Sequence, residues 1–176
     1  MTKLLWLFLL LLSTQEMIIF DFSPQSDLTN WIVRDDVVMG GRSQGSFQVN
    51  KEGHGVFKGS VSLENNGGFS SVRYRSNRIE VSDYQKVILR LKGDGSRFQF
   101  RIKSNRRDYY SYISYFQTNG DWQKVEIAFS EMYPTFRGRK LAMDNYPGEQ
   151  IEEIAFLIGN KQAQDFELEI DRVWVE

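Results

Sequence analysis

The 176-residue chain contains no cysteine, one histidine and three prolines, and its 22 lysines and arginines nearly balance 23 aspartates and glutamates. Each shortage excludes something. Without cysteine there is no disulfide framework, thiolate zinc site, iron–sulfur cluster or thiol nucleophile. The lone histidine, His54, excludes multi-histidine metal sites and leaves no spare partner for a Ser-His-Asp arrangement. It sits between Gly53 and Gly55, the setting of a solvated turn residue. A net charge of −1 lacks the basic excess of a protein that coats DNA or RNA. Arg97, Arg101, Lys103, Arg106 and Arg107 do lie near tyrosines, but Asp94 and Asp108 dilute them, so no nucleic-acid partner is expected. Neither glycine-rich nucleotide-binding signature occurs, and no cofactor is expected.

The longest apolar run near the start, Leu4–Leu12, covers nine positions after Lys3. A spanning helix needs about 20 residues, whereas the apolar core of a secretory leader needs about 7–15. Ser13-Thr14-Gln15-Glu16 lacks the small-residue pair of a cleavage site, and Met17 opens Ile18-Ile19-Phe20-Asp21-Phe22, which reads as a first strand. Residues 1–16 are therefore set apart as a signal-like leader or a mis-assigned start, and residues 17–176 as one domain. A true leader exports the domain to the envelope or ties it to the membrane; a start at Met17 leaves it cytoplasmic.

Helical spacing is scarce beyond residue 17, and period-two alternation is frequent. In Arg97–Lys103, Phe98, Phe100 and Ile102 face one way while Arg97, Gln99, Arg101 and Lys103 face the other, as in a half-buried antiparallel strand. Val125, Ile127 and Phe129 alternate likewise, as do Phe166, Leu168 and Ile170. The last set changes parity at Val173 and Val175, which predicts a bulge near Asp171-Arg172. Further strands are expected over Ser46–Val49, Val56–Leu63, Phe69–Tyr74, Val87–Lys92, Tyr112–Phe116 and Ile154–Ile158. Turn chemistry separates them, at Gly53, Asn65–Gly68, Gly93–Gly95, Asn119-Gly120 and Pro147-Gly148. The pattern predicts an all-β antiparallel sandwich or jelly roll, with all three prolines between strands and at most a turn or two of helix around Glu149–Glu153. Tyr109–Phe116 carries large side chains on both faces, so its outward face is either covered or a recognition surface.

Two glycine-rich segments stand out. In Asp35-Asp36-Val37-Val38-Met39-Gly40-Gly41-Arg42-Ser43, a loop would free the two acids from the opposed directions a strand imposes. The acids then either cap backbone N–H groups or present charge to a partner. Gly67-Gly68-Phe69-Ser70-Ser71-Val72-Arg73 is either a hairpin turn leading into a strand or a seat for a ligand against the backbone. Asp21 and Asp171, on the first and last strands, raise the question of a calcium tie, though no dense acidic cluster accompanies them.

These segments, after Trp31, resemble the signature of the complex I intermediate-associated protein 30 family. Phe57-Lys58-Gly59, Tyr110-Ser111-Tyr112, Trp122-Gln123-Lys124-Val125, Pro134-Thr135-Phe136-Arg137-Gly138, Ile154–Gly159 and Phe166–Val175 continue the match, over about residues 18–175. The resemblance implies a galactose-binding-like jelly roll akin to carbohydrate-binding modules. It also implies a non-catalytic assembly factor, or chaperone, that binds protein intermediates of respiratory NADH:ubiquinone oxidoreductase. The short chain, with no long mitochondrial presequence, suggests a stand-alone bacterial relative. The expected docking patch joins Asp35, Asp36, Met39, Gly40, Gly41 and Ser43 to Gly67, Gly68, Phe69, Ser71 and Arg73, with Arg137 as an ion partner. The two segments should converge on one side of the sandwich. The competing expectation is a carbohydrate-binding module of the cell envelope, with Tyr110, Tyr112 and Trp122 stacking on sugar rings from one exposed face.

Overall fold

The computed structural model describes residues 15–176, so all but the last two positions of the leader, and the side chains of Val38 and Met39, lie outside the described residues. Thirteen strands follow one another: β1 (Met17–Asp21), β2 (Trp31–Asp35), β3 (Gln44–Val49), β4 (Gly55–Val61), β5 (Ser70–Glu80), β6 (Lys86–Gly93), β7 (Arg97–Lys103), β8 (Ser111–Gln117), β9 (Gln123–Ala128), β10 (Tyr133–Phe136), β11 (Arg139–Lys140), β12 (Gln150–Ile158) and β13 (Gln164–Val175). Single 3-10 turns occupy Asp36–Met39, Glu64–Asn66 and Phe129–Glu131. No helix among the described residues is long and apolar enough to cross a membrane.

The strands form two antiparallel sheets. One runs β3-β4-β13-β6-β9, with β1 added along the far half of β13; the other runs β11-β10-β8-β7-β12-β5-β2. Inward side chains of both sheets merge into one core. Phe98, Phe100 and Ile102 are fully buried, as the alternation of β7 requires. Each buried phenylalanine, such as Phe57, Phe100 or Phe156, contributes about 1.5–3 kcal/mol relative to an exposed one. Phe20, Phe22, Trp31, Phe47 and Tyr74 close one end, with ring centroids 4.5–5.9 Å apart.

The parity change in β13 is a bulge: its pairing with β6 shifts register between Ile170 and Arg172, and Ile170, Val173 and Val175 all reach the core. Other expectations need correction. Glu149–Glu153 is not helical; Gln150 and Ile151 pair with Glu80 and Ile79, and Ile151 is buried, so cross-strand pairing overrides local propensity. Pro134 lies within β10, not between strands, opposite Tyr112. It is tolerated because β10 is bounded on its outer side only by the two-residue β11. Alternation does not mark strands β2, β10 and β11. The carboxylate of Asp171 faces Arg90 at 3.4 Å and His54 at 3.6 Å. No cluster of three acidic or histidine side chains suited to a metal ion occurs among the described residues.

Candidate functional site

Asp35 closes β2 and Asp36 begins the 3-10 turn that follows, so the two carboxylates diverge. Asp35 accepts from the Ser70 hydroxyl at 2.6 Å and from the Gly45 N–H at 3.1 Å. Asp36 is 2% exposed. One of its oxygens accepts from the Ser43 N–H at 3.1 Å; the other accepts from the Ser43 hydroxyl and the Gly68 N–H, each at 2.6 Å, and from the Phe69 N–H at 3.3 Å. Burial alone would raise this carboxyl's pKa, but the hydrogen bonds from Ser43, Gly68 and Phe69 outweigh it and hold the group below the ordinary carboxylate range.

The glycines have a steric reason. A Cβ on Gly41 would stand 2.2 Å from one Asp36 oxygen, and a Cβ on Gly67 would stand 2.5 Å from the other. Only bare backbone can approach the carboxylate from both sides. Asn65 adds a bond from its side-chain amide to the Gly40 carbonyl at 2.9 Å, and Arg42 meets Glu64 at 2.8 Å on the surface. The two segments therefore converge, as expected. Asp36 and Ser43 are buried between them, and the Ser71 hydroxyl donates to the Arg34 carbonyl at 2.9 Å. These side chains hold the loops together instead of facing solvent.

Gly68 and Phe69, pinned by Asp36, form one rim of a cleft of about 620 Å³ on the outer face of the β11-to-β2 sheet. Arg137 and Lys140, at the β10–β11 turn, border it opposite, and Arg73, Gln99, Arg101, Tyr115, Tyr133 and Leu157 also line it. A smaller hollow of about 140 Å³ adjoins it, sharing Arg73, Arg101 and Leu157 and adding Ser71, Lys103, Glu153 and Ala155. Register explains this lining. Ile32, Arg73, Ala155, Arg101, Ile113 and Tyr133 are paired neighbours in one row across six strands. In the next row Arg75 flanks Glu153 with Lys103 on its other side.

The cleft is cationic. Glu153, 5% exposed, is held by Arg75 at 3.1 Å and approached by Arg73 at 4.0 Å. Burial pushes the Arg101 guanidinium down to about 10, with the like charge of Arg73 adding to it. Burial also lowers Arg73 and Lys103. Arg97 lies 4.5 Å from the Tyr115 ring centroid, and the Lys140 ammonium 5.0 Å from that of Tyr133.

The rings expected to stack on sugars do not share an exposed face. Tyr112 is buried in the core against Tyr146, with centroids 5.2 Å apart, because its parity on β8 is inward. Tyr110 is half-buried beside it, and Trp122 lies with His54 and Arg90 at the other sheet. The outward face of β8 instead supplies Ile113 and Tyr115 to the cleft. Arg101, Ala155, Tyr133 and Lys140 were missed as site residues. For Arg101 a signal existed, since alternation in Arg97–Lys103 already turns it away from the core.

Comparison with known proteins agrees with this architecture. The family model described as complex I intermediate-associated protein 30 matches residues 20–170. Mouse (Mus musculus) complex I intermediate-associated protein 30, mitochondrial, is 26% identical over 189 residues, covering 92% of this chain but only 56% of its own length. The chain thus spans little more than half of that relative. Among solved structures, the family 11 carbohydrate-binding module of Clostridium thermocellum bound to a β-1,3-1,4-mixed-linked tetrasaccharide superposes with a TM-score of 0.63 at 18% identity, over 91% of this chain and 94% of that one. The family 11 module of a cellulosomal cellulase from the same organism gives 0.64 at 16% identity, over 92% and 94%. At such identities the likeness establishes a shared jelly-roll fold and no more. Fold and sequence match together place this chain in the complex I intermediate-associated protein 30 family.

Proposed function

We propose that the domain is a non-catalytic binding module that acts as an assembly factor, holding a protein intermediate of respiratory NADH:ubiquinone oxidoreductase. The observation that carries this reading is the family match over residues 20–170, supported by the name of the mouse relative. The docking surface is the cleft of the outer sheet face together with its pinned rim. Gly68, Phe69, Arg73 and Arg137 contact the partner, while Asp35, Asp36, Gly40, Gly41, Ser43, Gly67 and Ser71 hold the rim in shape. Such a site works by preorganisation: the loops are ordered before the partner arrives, so little conformational entropy is lost on binding. The test is gene deletion followed by native electrophoresis with an in-gel NADH dehydrogenase stain. Loss of the assembled enzyme with accumulation of subassemblies is expected; normal amounts of assembled enzyme would overturn the reading.

The carbohydrate reading retains one supporting observation, the likeness to modules such as the one solved with a tetrasaccharide. It calls for free ring faces to stack on sugars, yet Tyr115 and Tyr133 each already carry a cation over one face. Retardation of the protein in gels containing mixed-linked β-glucan would support it, and free migration would retire it.

A further inference from the structure

On the floor of the smaller hollow, where it adjoins the cleft, Ala155 pairs with Arg73 on one side and Arg101 on the other. The two arginines thus rise two strands apart, about 10 Å between backbones, over a floor made low by a methyl side chain. Arg75 and Arg73 share Glu153. Arg101 has no such partner: among the described residues its guanidinium makes neither an ion pair nor a hydrogen bond. A half-buried, unpaired charge beside a like charge is unfavourable in the free protein. Nothing in the core gains from it, because Arg101 faces away from Phe100 and Ile102. The arrangement becomes favourable once a carboxylate enters, since a guanidinium can grip it with two parallel bonds.

We infer that the cleft binds an acidic segment of a partner polypeptide, its carboxylates meeting Arg101 and Arg73 above Ala155 and its apolar side chains lying against Phe69 and Leu157. This inference rests on the binding-module reading above and adds the chemistry of the ligand. Three features set an acidic peptide apart from a sugar. Lys103, Arg137 and Lys140 extend the positive field around the two arginines, against Glu153 as the one carboxylate among the described residues that lines either hollow. Cations already occupy a face of Tyr115 and of Tyr133. The apolar lining of Phe69, Ile113 and Leu157 matches peptide side chains better than hydroxyl-covered rings.

The experiment measures fluorescence anisotropy of the full chain with labelled oligoglutamate. Unlabelled oligoglutamate, oligoglutamine, oligogalacturonate and a neutral mixed-linked glucan oligosaccharide run as competitors. Saturable binding that weakens as salt rises is expected, with competition by unlabelled oligoglutamate and none by oligoglutamine or the neutral sugar. Arg101→Gln and Arg73→Gln should each weaken it roughly tenfold or more, the scale of a charged hydrogen bond. Arg90→Gln, on the other sheet, removes the same charge and should leave affinity unchanged. Ala155→Phe should block binding by filling the floor with all charges kept. Arg101→Gln should keep or raise the melting temperature, because it removes an unpaired charge. A fall in melting temperature would make Arg101 structural and overturn the assignment. So would an absence of saturable binding, equal losses in Arg90→Gln, or displacement by oligogalacturonate at lower concentrations than by unlabelled oligoglutamate, which would assign the cleft to an acidic saccharide. In the deletion strain, an Arg73→Gln/Arg101→Gln gene that restores full assembly of the NADH dehydrogenase would sink the peptide inference while leaving the assembly role standing.

Discussion

Asp36 gathers four hydrogen bonds, two from Ser43 in its own segment and one each from Gly68 and Phe69, which lie 32 and 33 residues further along the chain. Asp36→Asn replaces an acceptor oxygen with a donor and leaves buried N–H groups unmatched, so it should cost about 2–4 kcal/mol in urea unfolding. The loss depends on pH. The folded carboxyl is held below its ordinary value, so its contribution is complete above about pH 4 and fades as pH falls through the folded pKa. The gap between wild type and variant should therefore be flat near neutrality and narrow in acid, as urea melts across pH would show. Gly41→Ala drives a methyl group into the same carboxylate and should cost about 1–3 kcal/mol. Arg42→Ala, which breaks the surface pair with Glu64, should cost less than about 1 kcal/mol. Comparing these two melts separates the buried tie from the exposed one.

Among the elements, β12 lies between β5 and β7, and β13 between β4 and β6, whereas β11 has two exposed residues paired only to β10. Amide exchange should be slowest in β12 and β13 and fast in β11, and mass-spectrometric exchange measures this directly. Uniform exchange across the three would contradict the layout. The same contrast explains what could be read in advance. Strand β7 was legible to the residue and the β13 bulge to within one position, because alternation records which side of a strand meets the core. Strand β2 was hidden, since Trp31–Asp35 runs into the acidic loop without a turn signal, and β11 is too short to alternate. Glu149–Glu153 misled because its acids suit a helix, and only pairing with distant Ile79 makes it strand. The convergence of the two glycine segments was legible through resemblance to a family. The cleft was not, because it needs the register of six strands, which no local pattern specifies.

At the scale of the molecule, one core joins both sheets, from Ile19 to Val175. Unfolding in urea followed by tryptophan fluorescence and by far-UV circular dichroism should give coincident single transitions. Separate midpoints would reveal two independently stable layers. The placement of β13 also bears on biosynthesis. It comes last among the strands yet sits inside its sheet, and β1, the earliest, pairs with its far half. At about 5–20 residues per second, translation leaves the nascent β1 waiting on the order of ten seconds for that partner to emerge from the ribosome. Through that interval β4 and β6 lack the strand that separates them, so synthesis speed and chaperone supply bear on how much of the chain reaches the folded state.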